Sequence, residues 1–589
     1  MKIEGIRGLM CQVNRIKRND YALWIKKYDT FSMEEMEIIR QRQSAFLQNP
    51  LISVIMPVFD PKPKWLIKAI ESVCRQSYPH WELCIADDAS TNPAIRDILI
   101  NYSKRDSRIK VVLRNTNGHI AACSNSAMKI ASGDWYALLD HDDELAPTAL
   151  YRVADVINNH PDAEMIYSDE DKISGPGTRS APYFKPDWNP ELFYSHNMFS
   201  HLGVYHAGLV KKAGYFREGF EGAQDYDLAL RCIEHTSSRY IHHIPRVLYH
   251  WRIHKGSTAR SVKSKPYAML AGERALNEHF NRWTLKAEAH LIGYGYRIKY
   301  HLPVNPPQVS IIIHTCNGLT QLRPCIESIL NLTKYKDYEI IVIVSGTGDQ
   351  GTLAYLRQQE TAFSRLSVVW TDPSNSMVMN NLAIGKARGE LIALVSDDVR
   401  VFSPEWLDEM AGLAVQPGIG VVGAKLYYTN NTVQHAGIIL GSGIHGAFFY
   451  AHHGLLKGEK GYFGRASLTN SFSAVTGDCM VVRKSTWEII HGFNEKELSG
   501  ACNDIDFCLR VREAGFRSVF TPYAELYRAK SSPSRRNIKQ AEHERMLAGT
   551  EFLEKRWSPL MTNDPAYNPN LSLEYSDFSL AWPPRIDKI

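Results

Sequence analysis

The stretch Gly133-Asp134-Trp135-Tyr136-Ala137-Leu138-Leu139-Asp140-His141-Asp142-Asp143 indicates the fold of this chain. Residues 135–139 form a short, continuous apolar run, which is typical of a parallel strand that is buried on both faces. Carboxylates follow where this strand would leave the sheet, and ligands bind at that end of the strands in open α/β sheets. Taken alone, the same carboxylates are equally consistent with a solvated acidic turn.

Asp140 and Asp142 are one residue apart, so their side chains point the same way wherever the backbone stays extended. Such a pair can hold one divalent cation, because Mg²⁺ and Mn²⁺ favour carboxylate, water and phosphate oxygens. We therefore expect Mn²⁺ or Mg²⁺ as a cofactor at this end of the strand.

Upstream of this stretch, strand-like and helix-like segments alternate. The strand patterns lie at 51–59, 81–86 and 109–113, and the helix patterns lie at 65–74, 96–102 and 120–130. This alternation predicts a doubly wound α/β fold with a mostly parallel sheet. Asp87 and Asp88 end the second strand, so parallel strands should bring them to the same edge as Asp140, where a nucleotide is expected.

The composition is that of an ordinary globular protein. A chain of 589 residues is too long for one core, so we expect two large domains or more. A net charge of +5 is small for this length and argues against a nucleic-acid partner. The cysteines show no Cys-x-x-Cys spacing, and most lie inside apolar patterns, which favours buried thiols in a reduced, cytoplasmic protein.

Residues 1–20 contain no apolar core of a signal peptide, and no stretch approaches about 18 consecutive apolar residues, so we expect no transmembrane helix. Residues 11–48 have an amphipathic helical pattern, with a capping box at Ser32 and Glu35. The basic residues of this N-terminal arm either form a solvated helix face or make peripheral contact with an anionic membrane.

The chain contains an internal repeat of domain size. Gly389-Glu390-Leu391-Ile392-Ala393-Leu394 repeats the segment that begins at Gly133, at an offset of 256 residues (133 to 389). Asn503-Asp504-Ile505-Asp506 likewise repeats Gln224-Asp225-Tyr226-Asp227. The predicted organisation is a helical arm at 1–50, a first domain at 51–295, a linker at 296–308, a second domain at 309–560 and a tail at 561–589.

The second copy keeps some polar positions of the first and changes others. The kept pairs are Asp142 with Asp398, Asn125 with Asn381 and Asp225 with Asp504, and the changed pairs are Asp88 with Ser345, Asp140 with Ser396 and His250 with Arg528. A cation beside Arg528 would meet a like charge. We therefore expect the metal–nucleotide site to be stronger in the first domain, and the second to be partly degenerate.

Several short sequence motifs, taken in their order along the chain, resemble those of a known family. They are Ile-Ala-Asp-Asp-Ala-Ser from 85, Leu-Leu-Asp-His-Asp-Asp from 138, Tyr-Ser-Asp-Glu-Asp-Lys from 167, Gln-Asp-Tyr-Asp-Leu from 224 and Tyr-His-Trp-Arg from 249. Together they resemble the family 2 glycosyltransferases, whose domains have the GT-A fold, a Rossmann-like nucleotide-diphospho-sugar transferase fold. The resemblance covers both copies. The chain as a whole is similar to the tandem O-antigen or rhamnosyl transferases of bacterial surface polysaccharide assembly.

The resemblance implies an inverting, metal-dependent transfer of a hexosyl or rhamnosyl group from a UDP- or dTDP-sugar to a glycan or lipid-linked glycan. It implies Asp225 as the catalytic base, with Asp504 as its counterpart. It implies that Asp140 and Asp142 hold the metal and that either His250 or His254 closes the metal site. The implied donor-binding residues are Pro57, Val58, Asp60, Asp87, Asp88, Asn117, Asn125, Asp140, His141, Asp142 and Asp398.

Simpler interpretations stay open for several of these residues. Asp225 could cap a helix N-terminus, and His250 could be a core histidine. The histidines at 435, 445, 452 and 453 match no metal site and are interpreted as loop residues.

Competing functions are a glycoside hydrolase with paired carboxylates, a bifunctional transferase with both domains active, and a non-catalytic carbohydrate-binding protein.

Overall fold

The apolar runs of the first half form a parallel sheet with helices between its strands. The computed structural model describes residues 20–254, 266–315, 318–345, 350–371, 376–441, 446–498, 501–529 and 540–589. In the first domain, strand β1 pairs in parallel with β2 and β4, and every residue of β1 and β2 is buried. Burial on both faces explains why these strands are continuous apolar runs without alternation.

The elements of the arm and the first domain have the following bounds. The helices are α1 (Tyr21–Tyr28), α2 (Met33–Ser44), α3 (Pro63–Cys74), α4 (Pro93–Arg105), α5 (His119–Lys129), α6 (Ala149–Asn159), α7 (Pro190–Ser195), α8 (Ala207–Ala213), α9 (Gln224–Ile233) and α10 (Pro266–Arg282). The strands are β1 (Ile52–Val58), β2 (Trp81–Asp87), β3 (Ile109–Leu113), β4 (Trp135–Leu138), β5 (Glu144–Leu145), β6 (Met165–Ile173), β7 (Arg179–Tyr183), β8 (Gly203–His206), β9 (Ile241–Arg252), β10 (Ala287–Leu291) and β11 (Tyr296–Tyr300).

The second domain repeats this plan. Its strands are β12 (Val309–Thr315), β13 (Tyr338–Ser345), β14 (Leu366–Thr371), β15 (Leu391–Ser396), β16 (Val399–Val401), β17 (Ile419–Tyr428), β18 (Val433–His435), β19 (Ile438–Leu440), β20 (Phe448–Tyr450), β21 (Asn470–Phe472), β22 (Cys479–Arg483) and β23 (Arg517–Arg528). Its helices are α11 (Leu319–Leu332), α12 (Gln350–Ala362), α13 (Ser376–Lys386), α14 (Trp406–Ala414), α15 (Lys484–Ile489), α16 (Asn503–Glu513) and α17 (Gln540–Thr562).

The strand order of the two sheets confirms the repeat. The first sheet runs β3-β2-β1-β4-β8-β6-β9-β5, and the second runs β14-β13-β12-β15-β22-β17-β23-β16, which is the same order strand for strand. In both sheets the fifth strand pairs antiparallel to the fourth, so each sheet is mixed beyond its parallel half. The predicted α/β fold with two tandem copies is therefore correct.

A buried polar network is also repeated at the start of the fourth strand. Ser53 Oγ donates to Glu82 (2.6 Å) and accepts from the Gly133 backbone N–H (3.0 Å). The equivalent Ser310 Oγ lies 2.7 Å from Glu339 and 2.8 Å from the Gly389 nitrogen. A Cβ on Gly133 would lie 2.4 Å from the Leu51 carbonyl oxygen, so the close approach of the backbones requires glycine there.

The N-terminal arm differs from the single helical segment predicted over 11–48. Two helices, α1 and α2, are separated by four residues, because Ser32 has an extended backbone and caps α2. The predicted capping box with Glu35 is present: the Glu35 nitrogen donates to Ser32 Oγ (3.1 Å), and the Ser32 nitrogen donates to Glu35 (2.7 Å). The part of the prediction at 11–19 lies outside the described residues.

The region predicted as a linker at 296–308 begins with a strand. Tyr296–Tyr300 forms β11 and pairs antiparallel with β10 through a turn in which Gly293 has a positive φ of 82°. Tyr300 packs under helix α14 of the second domain, where a Cβ on Gly412 would meet the Tyr300 carbonyl oxygen at 2.7 Å. Three prolines follow the hairpin, and the alternating residues of this short strand carry no continuous apolar run, so the sequence pattern did not predict it.

The tail after α17 packs against both domains. Asp564 accepts hydrogen bonds from the Leu440 nitrogen (2.8 Å) and Ser473 Oγ (2.5 Å) of the second domain. Asn568 then reaches the first domain, where its Nδ2 donates to both oxygens of buried Asp169 (3.1 and 2.9 Å). The tail finally meets the arm, since Trp24 Nε1 donates to the Ala581 carbonyl oxygen at 3.1 Å.

The domains also contact each other directly. Asn189 of α7 exchanges hydrogen bonds with the backbone of Ser471 in β21 (2.9 and 3.0 Å). Glu191 accepts from Arg517 of β23 at 2.9 Å. Tyr183 stacks on Phe463 with ring centroids 4.0 Å apart, so it serves packing between the domains. Among the described residues, no helix combines the length and apolar character needed to span a membrane.

We predict that Asn568→Ala loosens the attachment of the tail. The change leaves the buried Asp169 carboxylate without two hydrogen bonds, which should cost about 2 kcal/mol. For a domain of this size that lowers the midpoint of thermal unfolding by roughly 4–8 °C, measured by calorimetry. Asn331→Ala, at an exposed position near the end of α11, is the matched control and should leave the midpoint nearly unchanged.

Candidate functional site

The candidate site lies where β1, β2 and β4 end at one edge of the first sheet. Val58, at the end of β1, is in register with Asp87, at the end of β2. Leu138, the last residue of β4, is in register with Ile55 of β1, so Asp140 and Asp142 follow at the same edge. The predicted convergence of the acidic strand ends is thus a consequence of the parallel register.

Asp88 is buried, and its carboxylate is held by its own chain. It pairs with the Arg114 guanidinium and accepts hydrogen bonds from the Gly118 nitrogen (3.0 and 3.2 Å). Asn117 Nδ2 donates to the Asp88 carbonyl oxygen at 3.2 Å. These contacts fix the loop before α5 and place Asp88 and Asn117 side by side at the predicted base and ribose end of the site.

Asp60 and Asp87 brace the neighbouring loop. Asp60 accepts from the backbone nitrogens of Thr91 (2.9 Å) and Asn92 (3.0 Å), and Asp87 accepts from Ser90 Oγ at 2.5 Å. Both carboxylates are therefore used in holding the turn that follows β2. Their assignment to donor binding remains a prediction, and the contacts show a positioning role.

Asn125, which the resemblance implies in donor binding, makes its hydrogen bonds within the chain. Its Nδ2 donates to the Phe216 carbonyl oxygen (2.9 Å), and its Oδ1 accepts from the Phe216 nitrogen (3.0 Å), so both ends of the amide are used. Asn381 makes the same pair with Phe493 in the second domain (3.1 and 3.0 Å). The asparagine is retained in both copies because it ties the helix after the third strand to a distant loop.

Asp142 lies beside His254, one of the two histidines that the resemblance implies at the metal site. Asp142 Oδ2 and His254 Nε2 are 2.7 Å apart, and the Trp65 ring packs on the imidazole with centroids separated by 4.8 Å. His250, in contrast, is buried, and its Nδ1 lies 2.7 Å from Asp171 Oδ1. The contacts of His250 are those of a core histidine, and His254 is the histidine beside Asp142; a metal role stays a prediction.

Asp140 and His141 occupy the turn between β4 and β5. The His141 Nδ1 lies 3.1 Å from the Pro57 carbonyl oxygen, which ties this turn to the end of β1. Burial raises the pKa of the Asp140 carboxyl; the positive charge of His201 opposes the shift, and the charges of Asp142 and Asp225 add to it. The carboxylates of Asp140, Asp142 and Asp225 thus act on one another across a single site.

His201 was not found by sequence reasoning, although it faces the same carboxylates. Burial would lower its pKa, but the hydrogen bond that its ring donates to Glu170 and the charges of Glu170, Asp140 and Asp143 outweigh burial and raise it to about 9. Its ring stacks on Tyr249 with centroids 4.6 Å apart. The sequence around His201 has no recognisable motif, so only the fold could place this cation beside the acidic cluster.

Asp225 is in the first turn of α9, but it does not cap that helix. The N-cap residue is Ala223, and it makes no side-chain capping bond. Asp225 Oδ2 instead accepts hydrogen bonds from Asn197 Nδ2 (3.2 Å) and Ser200 Oγ, which belong to the loop before β8. The simple capping interpretation is therefore wrong, and the carboxylate is held from outside its helix.

The second domain arranges the equivalent edge differently. Arg528 Nε donates to Asp398 Oδ2 at 3.1 Å, and its Nη1 pairs with Asp478. Asp504 accepts from the Gly477 nitrogen at 2.9 Å, and burial raises its pKa. A guanidinium of the chain thus lies between carboxylates at this edge, as expected from the like-charge argument.

The strand registers correct one pairing within the repeat. Leu145 pairs with Tyr249 and Glu144 with His250, whereas Val401 pairs with Leu526 and Arg400 with Tyr527. His250 therefore corresponds to Tyr527, and Arg528 corresponds to Trp251. The pairing of His250 with Arg528 is one residue off, because it matches Tyr249 with Tyr527, whereas the register matches Tyr249 with Leu526.

Of the histidines predicted as loop residues, His452 and His453 lie in the turn after β20, as predicted, whereas His435 does not. His435 lies in β18, where its Nδ1 is 3.0 Å from the Ala424 carbonyl oxygen and burial lowers its pKa to about 4. His452 stacks on Phe578 of the tail, with centroids 4.5 Å apart. His445 lies outside the described residues. Within the described chain, no group of three or more histidine, cysteine, aspartate or glutamate side chains is arranged to hold a metal ion.

Comparison with known proteins places this geometry in a family. The family described as "Glycosyl transferase family 2" matches residues 53–222, and "Glycosyltransferase like family 2" matches residues 306–557. "Uncharacterized protein y4gI" of Sinorhizobium fredii is 47% identical over 95% of this chain and 61% of its own length. "O-antigen biosynthesis protein RfbC" of Myxococcus xanthus is 35% identical over 95% of this chain and 43% of its own length.

The chain therefore spans less than two thirds of these two relatives. A solved structure of TarS 1–349 from S. aureus in complex with UDP is 21% identical, with a TM-score of 0.30 over 39% of this chain and 71% of that chain. The mannosyltransferase PcManGT from Pyrobaculum calidifontis, in complex with GDP-Man and Mn²⁺, is 15% identical, with a TM-score of 0.30 over 40% of this chain and 60% of that chain. From the two family matches, with one domain in each half, we conclude that the chain belongs to glycosyltransferase family 2 and consists of two tandem GT-A domains.

Proposed function

We propose that the first domain is an inverting glycosyltransferase that moves a sugar from a nucleotide-diphosphate donor, a UDP- or dTDP-sugar, to a glycan or lipid-linked glycan. The observation that carries the proposal is the geometry at the open edge of the first sheet, where Asp142 lies 2.7 Å from His254 and Asn197 and Ser200 hold Asp225. The name of the Myxococcus relative supports surface polysaccharide assembly as the setting. Exposed Lys26 and Lys27 of the arm are suited to peripheral contact with the cytoplasmic face of a membrane.

A divalent cation fits the first domain better than the second. The adjacent Asp142 carboxylate and His254 imidazole are ligand types that Mn²⁺ accepts, while Mg²⁺ would depend more on oxygen ligands from Asp140 and the donor. Two protein ligands suffice where phosphate and water complete the coordination. When bound, such a cation offsets the negative charge that builds up on the leaving diphosphate.

Asp225 is the residue we assign as general base. Asn197 and Ser200 both bind its Oδ2, so this oxygen is held in place. Among the described residues, Oδ1 receives no hydrogen bond, and we assign it to accept the proton of the attacking acceptor hydroxyl. A base on the face opposite the leaving group produces inversion at the anomeric carbon, where the transition state resembles an oxocarbenium ion.

The second domain lacks this arrangement and serves, in our proposal, as a supporting domain. The Arg528 guanidinium occupies the space between Asp398 and Asp478, where a cation would have to bind. Because a bound cation would meet this like charge, donor diphosphate binding of the metal-dependent type is disfavoured there. Asp504 remains at the position of the base, which is the reason to test both domains separately.

We expect Asp225→Asn to lower sugar transfer by about 100- to 10,000-fold, because the amide cannot accept the proton of the acceptor. The isosteric change keeps a hydrogen-bond acceptor for Asn197 and Ser200, so donor affinity should stay close to that of the unchanged chain. Turnover would be measured with a panel of nucleotide sugars, and donor affinity by calorimetry. Asp504→Asn is the matched control, and substantial transfer by Asp225→Asn would exclude Asp225 as the base.

We also expect Asp142→Asn to abolish Mn²⁺-dependent transfer and to weaken Mn²⁺ binding in the presence of nucleoside diphosphate, followed by electron paramagnetic resonance. A neutral amide is a poorer ligand for a hard cation than a carboxylate. Asp398→Asn, at the equivalent position, should leave both readouts nearly unchanged. If Asp398→Asn removes one product and Asp142→Asn another, both domains are active.

A further inference from the structure

A large cavity lies between the end of the first domain and the second domain. Its volume is about 890 Å³, which is within the usual range of ligand-binding sites. The hairpin β10–β11 and the segment after it form one wall, and α14, β17 and β23 form the other. The cavity lies apart from Asp398 and Asp504, neither of which lines it.

The same place in the first domain is filled by the chain itself. The registers of β9 and β23 make Pro522 and Tyr523 the counterparts of Pro245 and Arg246. Beside Pro245, Trp24 of the arm and Ile586 of the tail fill the space and leave only about 20 Å³. The second domain has no corresponding arm or tail among its described residues, so its cavity stays open.

The lining of the cavity contains buried polar atoms that no described residue satisfies. They are Tyr523 Oη, Arg297 Nε and Asp408 Oδ2. Buried polar groups are almost always hydrogen-bonded, since leaving one unpaired is costly. At the position of Asp408 the first domain has Arg152, whose Nη2 donates to the Lys588 carbonyl oxygen of the tail at 2.9 Å. An unpaired atom, Arg152 Nε, is also present at the filled site; at the cavity the three unpaired atoms belong to side chains that line an open space, where a ligand can supply hydrogen bonds.

The chemistry of the lining differs from that of the filled site. The apolar Val153 and Leu248 of the first domain are replaced at the equivalent positions by Glu409 and Glu525. Glu409 pairs with Arg297, and Glu525 accepts from Tyr427 Oη at 2.6 Å. A lining with charges of both signs suits a ligand rich in hydroxyl groups better than an apolar peptide segment.

Aromatic rings complete the lining. The tyrosines at 294, 300, 427 and 523 contribute to it. Lys457 also lines the cavity, and its ammonium lies over the rings of Phe402 (4.0 Å) and Tyr427 (5.0 Å). Tyrosine offers an apolar face and a hydrogen-bonding end on one rigid side chain. Sugar rings present apolar C–H faces and hydroxyl groups in the same way, so the two surfaces match.

We propose that this interdomain cavity is a saccharide-binding site that holds a segment of the acceptor glycan away from the site of sugar transfer. The ligand class rests on the proposed function, whereas the cavity, its unpaired atoms and its charged lining do not. In this arrangement the second domain retains the growing glycan while the first domain transfers the sugar.

The test uses the intact chain on an array of defined bacterial surface oligosaccharides, with the affinity of each hit measured in solution. Tyr523→Phe removes only an unpaired hydroxyl and should weaken binding about 3- to 10-fold, and Asp408→Asn should weaken it about 10-fold or more. Neither change removes an internal hydrogen bond, so the midpoint of thermal unfolding should not fall. Tyr267→Phe, at an exposed position of α10, is the matched control and should bind like the unchanged chain.

The outcomes separate this proposal from the proposed function. Binding that falls in both cavity variants, but persists in Asp142→Asn, supports a glycan site distinct from the donor site. The proposal is overturned if the intact chain binds no oligosaccharide on the array, or if binding falls in Asp142→Asn and not in the cavity variants. Donor hydrolysis by the intact chain is measured separately, and its absence with every nucleotide sugar would count against the proposed function alone.

Discussion

Carboxylates gathered at one edge of a sheet repel one another, and the rest of this structure depends on how each domain balances that repulsion. Parallel strands place their carboxyl ends together, so Asp88, Asp140 and Asp142 cannot be kept apart without changing the fold. In the first domain, positively charged side chains compensate this negative charge only in part: Arg114 neutralises Asp88, and His201 partly offsets the charges of Asp140 and Asp143. The remaining negative charge makes this edge suitable for a cationic ligand.

The second domain balances the same charge internally. Arg528 pairs with both Asp398 and Asp478, and its pKa is raised by these two partners although burial opposes the shift. A guanidinium that is held by two carboxylates leaves little reason for a cation to bind. One fold thus gives two electrostatic outcomes, because the second domain has Arg528 where the first has Trp251, and Ser396 where the first has Asp140.

The sequence alone was sufficient for the features that follow from local pattern. The buried runs predicted β1, β2, β3 and β4 to within about two residues, and Ser32 with Glu35 predicted the start of α2. The repeat predicted that both domains share one fold, and the common strand order confirms it. These features are local, or repeat at a fixed interval, so a pattern in the sequence carries them.

The features that the sequence did not predict depend on contacts between distant segments. His250 and His254 differ by four residues, and only the pairing of His250 with Asp171 on the neighbouring strand separates a core histidine from a site histidine. Asn125 resembled a site residue because both copies retain it, yet its partner is the backbone of Phe216, far along the chain. His201 lies in a loop without a recognisable sequence motif, so only the fold shows that it faces the site.

The same kind of distant contact explains why the two copies diverged in shape as well as in charge. In the first domain, Asp169 is buried and takes hydrogen bonds from Asn568 of the tail. At the equivalent position of β17 the second domain has Lys425, whose ammonium donates to the Ala466 carbonyl oxygen at 2.7 Å. A lysine there cannot accept the two hydrogen bonds that Asn568 Nδ2 donates to Asp169, so the second domain is not closed by the same contact. Without that attachment, the space beside β23 is open to a ligand or to water. The residues that line this space therefore do not need to be apolar.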